Sequence, residues 1–239
     1  MNIAGEMEVV KDLEALSARA AEMIGDRIRG CRAPFRLALS GGTTPRGCYR
    51  RLAHLHQVPW DCVEIYLADE RFVPHDHPDS NYRMIRETLL AGDMVAPRGV
   101  FAVPSDGTVE SAAETYEEIL RQQYGSSRLL PNLPLFDLML LGLGEDGHIA
   151  SLLPAQPVLE ERRRWVAPVP DGRIEPRISL TYPALESSRL TLFLVSGAAK
   201  REALARARAG DGAIPAGRLQ PHGDVIWLVD HAAAGIDAD

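Results

Sequence analysis

Two stretches of this chain, FDLMLLGLG at 136–144 and LTLFLVSG at 190–197, are almost continuously apolar and then stop at glycine. Short runs of this kind suit a strand covered on both faces, which is the signature of a parallel sheet packed between helices. FRLALS (35–40), VEIYLAD (63–69), GVFAVP (99–104) and DVIWLVD (224–230) read as further strands, with shorter ones at WVAPVP (165–170) and RISLT (177–181). Between them lie helical patterns. Leu13, Leu16, Ala20, Ile24 and Ile28 recur at spacings of three and four over 11–29, and Gly30 closes that helix. Pro45 opens a second helix running to about His56, as proline favours a first turn. Asp79 or Ser80 caps a third to about Leu90, Thr108 to about Tyr124 forms a fourth, and GAAKREALARARAG forms a fifth. The alternation predicts an α/β fold, with a Rossmann-like, mostly parallel sheet flanked by helices on both faces. No repeat, low-complexity segment or linker divides the chain, so a single domain over 1–239 is expected. The proline-rich segment 153–176, with the basic run Arg162-Arg163-Arg164 as a solvated face, is the expected irregular region.

Partners are bounded by charge. The net charge of −7 argues against nucleic acid, which normally demands a basic face. It leaves room for a small anion, because a local cluster of donors binds one even on an acidic protein. Cys31, Cys48 and Cys62 show no CxxC or Cys/His spacing and read as reduced thiols. The opening MNIAGEMEVVKDLEAL carries acids where a signal peptide would be basic and apolar, and no run of residues is apolar enough to span a membrane. A cytoplasmic protein without membrane contact is expected, with a monomer as the default.

In open parallel sheets, ligands bind beyond the carboxyl ends of the strands, so the loops there can be read together. The first is Ser40-Gly41-Gly42-Thr43-Thr44-Pro45. Its glycines permit close backbone approach, and the unpaired amides of the next helix favour negative charge. It lacks the GxxxxGK[ST] pattern of a nucleotide loop, and by itself it fits a plain turn as well as an anion site. The second, Asp69-Glu70-Arg71, offers a guanidinium suited to phosphate or carboxylate, or else an exposed ion cluster. His75, Asp76, His77 and Asp79 follow, but their spacing around prolines is no standard metal-ligand pattern. The third, GLGEDGHIAS, sets Asp146 and His148 in a glycine-rich turn after the most apolar strand. A histidine there can act as general base, oriented by the carboxylate. Lys200, after another apolar strand, is either a surface lysine or a second anion ligand.

Taken together, LALSGGTTPRGCYRRLA, ADERFVPHDHPDSNYRMIRETLL, FDLMLLGLGEDGHIASLLP, RISLTYPALESSRLTLFLVSGAAKREAL and IPAGRLQPHGDVIWLVDHAA resemble the 6-phosphogluconolactonase family, in the family's order and over nearly the whole chain. The resemblance implies hydrolysis of 6-phospho-D-glucono-1,5-lactone, a sugar phosphate lactone, with His148 as general base and Asp146 supporting it. It implies that Ser40, Gly41, Gly42, Thr43, Thr44, Arg71 and Lys200 hold the phosphate, that Asp69 lines the site, and that neither metal nor organic cofactor takes part. Glucosamine-6-phosphate deaminases share similar loops but carry a glutamate a few residues after their DGHI. Here Leu153 stands at that position, and a leucine cannot move protons. A non-catalytic sugar-phosphate sensor would be expected to lack the histidine and to carry a DNA-binding module.

Overall fold

The computed structural model describes residues 5–31, 34–92 and 94–236. Seven strands form one sheet: β1 (Glu6–Val10), β2 (Phe35–Leu39), β3 (Val63–Leu67), β5 (Gly99–Phe101), β6 (Phe136–Gly142), β9 (Ser188–Val195) and β10 (Asp224–Asp230). Their spatial order is β1-β10-β9-β6-β2-β3-β5, and every neighbouring pair is parallel. The order reverses between β6 and β2: the chain passes from β2 to β3 on one side and from β6 to β9 and β10 on the other. In such folds that reversal opens a crevice beyond the strand ends.

The apolar runs are buried as strands covered on both faces must be. Leu37 and Leu39 on β2, Ile65 and Leu67 on β3, and Leu138 to Leu141 on β6 are all buried. Each such side chain contributes about 1.5–3 kcal/mol through area removed from water. Trp227 on β10 stacks on Phe193 of β9 with ring centroids 3.8 Å apart. Helices cover the sheet: α1 (Leu13–Arg29), α2 (Thr44–Ala53), α3 (Asn81–Thr88), α4 (Val109–Tyr124), the short α5 (Tyr182–Glu186) and α6 (Arg201–Arg208). Tyr116 of α4 ties helix to sheet, its hydroxyl accepting from the Leu67 amide at 2.8 Å and donating to the Leu67 carbonyl at 2.9 Å.

Three features depart from the sequence expectation. The N-terminal EMEVV forms β1 at the sheet edge, pairing Glu6 with Ile226 through Val10 with Asp230. An edge strand is partly exposed, so its acidic residues hide the apolar signal. Asp69–Arg71, expected as loop, is the short strand β4. It pairs antiparallel with β8 (Arg177–Leu180), which pairs with β7 (Val166–Val169), making a separate three-stranded sheet. Three charged residues carry no strand periodicity, and only the partner strand makes β4 extended. Finally, α2 stops at Ala53, short of His56. All three cysteines are free, with the Cys31 and Cys62 sulfurs 3.0 Å apart. No helix among the described residues is long and apolar enough to cross a membrane.

Candidate active site

A cleft of about 330 Å³ opens where β9, β6, β2 and β3, four strands side by side, end. Ser40 to Thr44 follow β2, Asp69 and Arg71 follow β3, Gly142 ends β6 with Leu143, Gly144, Glu145 and His148 after it, and Ser196 and Lys200 follow β9. Nine of the ten residues singled out from the sequence line this space. The tenth, Asp146, does not; it sits behind His148.

The wall after β2 is an anion cradle in form. Helix α2 begins at Thr44 with Pro45 in its first turn, and no side chain caps its amides. Such amides, with the helix dipole behind them, attract negative charge. Gly41 is sterically required, since a Cβ there would lie 1.8 Å from Asn81 Oδ1. The Ser40 hydroxyl donates to the Leu140 carbonyl at 2.8 Å, and Tyr49 donates to the Ser40 carbonyl at 2.7 Å. Ser40 therefore locks β2 to β6 and turns backbone, rather than its hydroxyl, to the cleft. Thr43 and Thr44 keep theirs.

The two carboxylates after β3 do different work. Glu70 is 1% exposed and accepts four hydrogen bonds: from the amides of Arg71 (2.8 Å), Asn81 (2.6 Å) and Tyr82 (2.8 Å), and from the Ser80 hydroxyl (3.1 Å). Burial raises its pKa, and the three amides, which favour the charged form, pull it back in part. This carboxylate fastens the start of α3 onto β4 and so aims Arg71. Arg71 itself donates to the Asp79 carbonyl at 2.7 Å. Asp69 bonds neither to Arg71 nor outward. It accepts from Ser151 Oγ at 2.6 Å, and its main-chain carbonyl takes the Asn81 amide group at 2.9 Å.

The third loop folds back on itself. Gly144 donates its amide to the His148 carbonyl at 2.9 Å, and a Cβ on Gly144 would strike His148 Nδ1 at 2.0 Å. His148 Nδ1 lies 2.5 Å from Asp146 Oδ1, and Asp146 Oδ2 accepts from Arg173 at 2.8 Å. Burial alone would push Asp146 up, but the hydrogen bond and charge of His148, with the Arg173 bond, hold it down at about 2. An ionised carboxylate only accepts, so Nδ1 is the ring nitrogen that donates to it, and Nε2 is the one that this contact leaves unengaged. Lys200 lies on a tight turn just before α6, its Nζ 3.7 Å from Glu145 Oε1.

Sequence reasoning missed four contributors. Arg177, at the start of β8, lines the cleft; burial lowers its pKa, Asp69 opposes this, and Arg71 and Arg173 reinforce it. Asn81 also lines the cleft, and its Oδ1 finds no protein partner. Ser151 and Arg173 act behind the lining. Asn81 stands in the SNY of a quoted motif and was within reach. Ser151 and Arg177 also stand in quoted segments, but their part in the cleft, like that of Arg173, depends on where the small sheet docks, which no local pattern records. Among the described residues no group of three or more His, Cys, Asp or Glu converges on a metal position. His75 bonds the Val103 carbonyl at 2.7 Å instead.

An uncapped helix start, cations and a carboxylate-oriented histidine at the reversal of a parallel sheet define a Rossmann-like α/β protein whose cleft suits a small anionic ligand. The model of the glucosamine-6-phosphate isomerases/6-phosphogluconolactonase family matches residues 11–227, and the chain belongs to that family. It is 37% identical over 238 residues to a 6-phosphogluconolactonase of a Nostoc species, covering 97% of each chain. It is 35% identical to the human 6-phosphogluconolactonase, covering 96% of this chain and 93% of that one. Among solved structures, the 6-phosphogluconolactonase of Thermotoga maritima superposes with a TM-score of 0.81 at 28% identity, covering 94% of this chain and 99% of that one.

Proposed function

We propose that this chain is a lactone hydrolase of the oxidative pentose phosphate pathway, converting 6-phospho-D-glucono-1,5-lactone to 6-phosphogluconate. The observation that carries the reading is the pairing, within one cleft, of a carboxylate-oriented histidine with an uncapped helix start flanked by Arg71 and Lys200. The Gly41–Thr44 backbone and the α2 amides, with Arg71 and Lys200, hold the phosphate, and Arg177 adds a third cation. Asp69, kept in place by Ser151 and Asn81, lines the site facing the sugar. Gripping the phosphate, remote from the reacting carbon, converts binding energy into orientation of C1.

His148 Nε2 takes a proton from water as the oxygen attacks C1, giving a tetrahedral oxyanion. Asp146 supports the imidazolium that forms. The ring C1–O bond then breaks, and His148 returns the proton to the leaving ring oxygen, so protons balance over the cycle. A lactone carbonyl is already activated, and these protein groups suffice for the reaction; one chain supplies all of them. Leu153, where a deaminase carries its glutamate, is 1% exposed and packs away from the cleft. This favours ester hydrolysis over ring-opening amine chemistry. We place the enzyme in the cytoplasm, as a monomer.

The test is lactone hydrolysis measured against the spontaneous rate, wild type beside His148→Ala. The reading expects a turnover loss of about 10²–10⁴-fold with little change in KM. Wild-type protein that adds nothing to the spontaneous rate, or a variant with normal turnover, would overturn it.

A further inference from the structure

Asp146 and Arg173 share an ion pair outside the cleft lining: neither side chain lines it, yet Asp146 bonds His148, which does. Arg173 belongs to the loop of residues 170–176 joining β7 to β8, in the small sheet, whereas Asp146 and His148 follow β6 of the large one. The loop is held close by its backbone. Gly172 has φ +93, and a Cβ there would lie 2.9 Å from Gln156 Nε2 and 3.1 Å from Leu153 Cδ1, so this turn rests on the segment just after the histidine loop. The next residue thereby reaches Asp146 Oδ2 at 2.8 Å, while Asp146 Oδ1 is given to His148 at 2.5 Å. One carboxylate is thus shared by an imidazole and a guanidinium, one oxygen each.

We propose that Arg173 is a positioning residue for the reaction: it pins the rotation of the Asp146 carboxylate and offsets its charge, so that His148 meets substrate as a neutral, correctly oriented base. This rests on the lactonase reading above only for the reaction used to measure it. The electrostatic logic is direct. A carboxylate beside an imidazole favours the imidazolium, which cannot accept a proton, and a cation on the far oxygen reduces that bias. Asp69, Arg71, Glu145, Arg177 and Lys200 line the cleft with His148, and Asp171 and Glu175 flank Arg173 in its loop. Glu145 on the same loop is answered by Lys200 at 3.7 Å, and Arg177, four residues further along the hairpin, lines the cleft and is linked to Ser151 at 3.4 Å. Among the described residues, Arg173 alone bonds the Asp146 oxygen that His148 leaves free.

The decisive measurement is the pH profile of kcat/KM for wild type, Arg173→Gln and Arg173→Lys, beside an NMR titration of the His148 ring. With the offsetting charge removed, the acid limb should move to higher pH by about half a unit. That lowers kcat/KM roughly threefold on the acid side and little on the alkaline side, with kcat and not KM carrying the loss. Arg173→Lys should restore most of the acid limb, because it restores the charge. Arg173 is half-exposed, so the variants are expected to fold, and an unchanged melting temperature confirms it. An unmoved acid limb and ring titration in Arg173→Gln would overturn the proposal. So would a loss confined to KM, which would make Arg173 a substrate-binding group. The ring titration needs no substrate, so it stands or falls independently of the lactonase reading.

Discussion

The two halves of the cleft are held in place by different forces. On the cradle side, Glu70 is sealed from water and satisfied by four donors, Gly41 touches Asn81, and Ser40 is bonded across to β6. On the histidine side, the Asp146 and Arg173 side chains are each more than a third exposed, and His148 is 28% exposed. Buried networks are costly to break because each orphaned group loses its desolvation compensation. Exposed ion pairs contribute little to stability but still aim a charge. Binding geometry here is thus secured by folding itself, whereas the chemical group is held by contacts that solvent can reach. Damage on the first side should register as stability, and on the second as rate.

The sharpest way to test that contrast is the His148→Ala variant, whose turnover loss of about 10²–10⁴-fold should come with almost no change in melting temperature. A large destabilisation would show that the histidine is structural. Next in size is Glu70→Gln, which sets an amide NH₂ against backbone donors. It should cost about 2–3 kcal/mol in urea unfolding. Unchanged stability would mean the cradle does not depend on that carboxylate. If, as proposed, Arg71 and Lys200 grip a phosphate remote from the reacting carbon, Arg71→Ala and Lys200→Ala should each raise KM by about 10-fold or more while sparing kcat. A variant losing only turnover would move its residue from binding to chemistry.

The smallest effect is a pH signature. Asp146 is held at about 2 against an ordinary 3.8, so its contribution to stability is present above the higher value and disappears as the pH falls through the lower. The gap in melting temperature between wild type and Asp146→Asn should therefore close on acidification across that window. A gap that persists below it would show that the contact is not ionic.

Much of this arrangement was legible beforehand, for identifiable reasons. Strands buried on both faces write themselves as apolar runs, so β2, β3, β6, β9 and β10 stood out, and the first four of these end at loops that line the cleft. What stayed hidden lies at edges and in long-range pairings. β1 is half wet and reads as acidic, and β4 is extended only because β8 hydrogen-bonds to it. Arg173 and Arg177 enter from that second sheet, and no periodicity in DGRIEPRISL says where it will dock. The Ser40 hydroxyl, a natural candidate for touching an anion, is instead committed to Leu140 across the sheet. Its neighbour strand was unknowable from the loop alone.

The adjacency of β2 and β6 has one further consequence. The loop at 40–44 follows one strand and the histidine loop follows the next, so on the lactonase reading the offset between phosphate and proton acceptor starts from the interstrand spacing of about 4.8 Å. That spacing is fixed by backbone hydrogen bonds and is indifferent to side chains. The sheet acts as a ruler for where the two loops begin, so on that reading a phosphorylated lactone with a shorter chain would be gripped by its phosphate while its carbonyl fell short of the base.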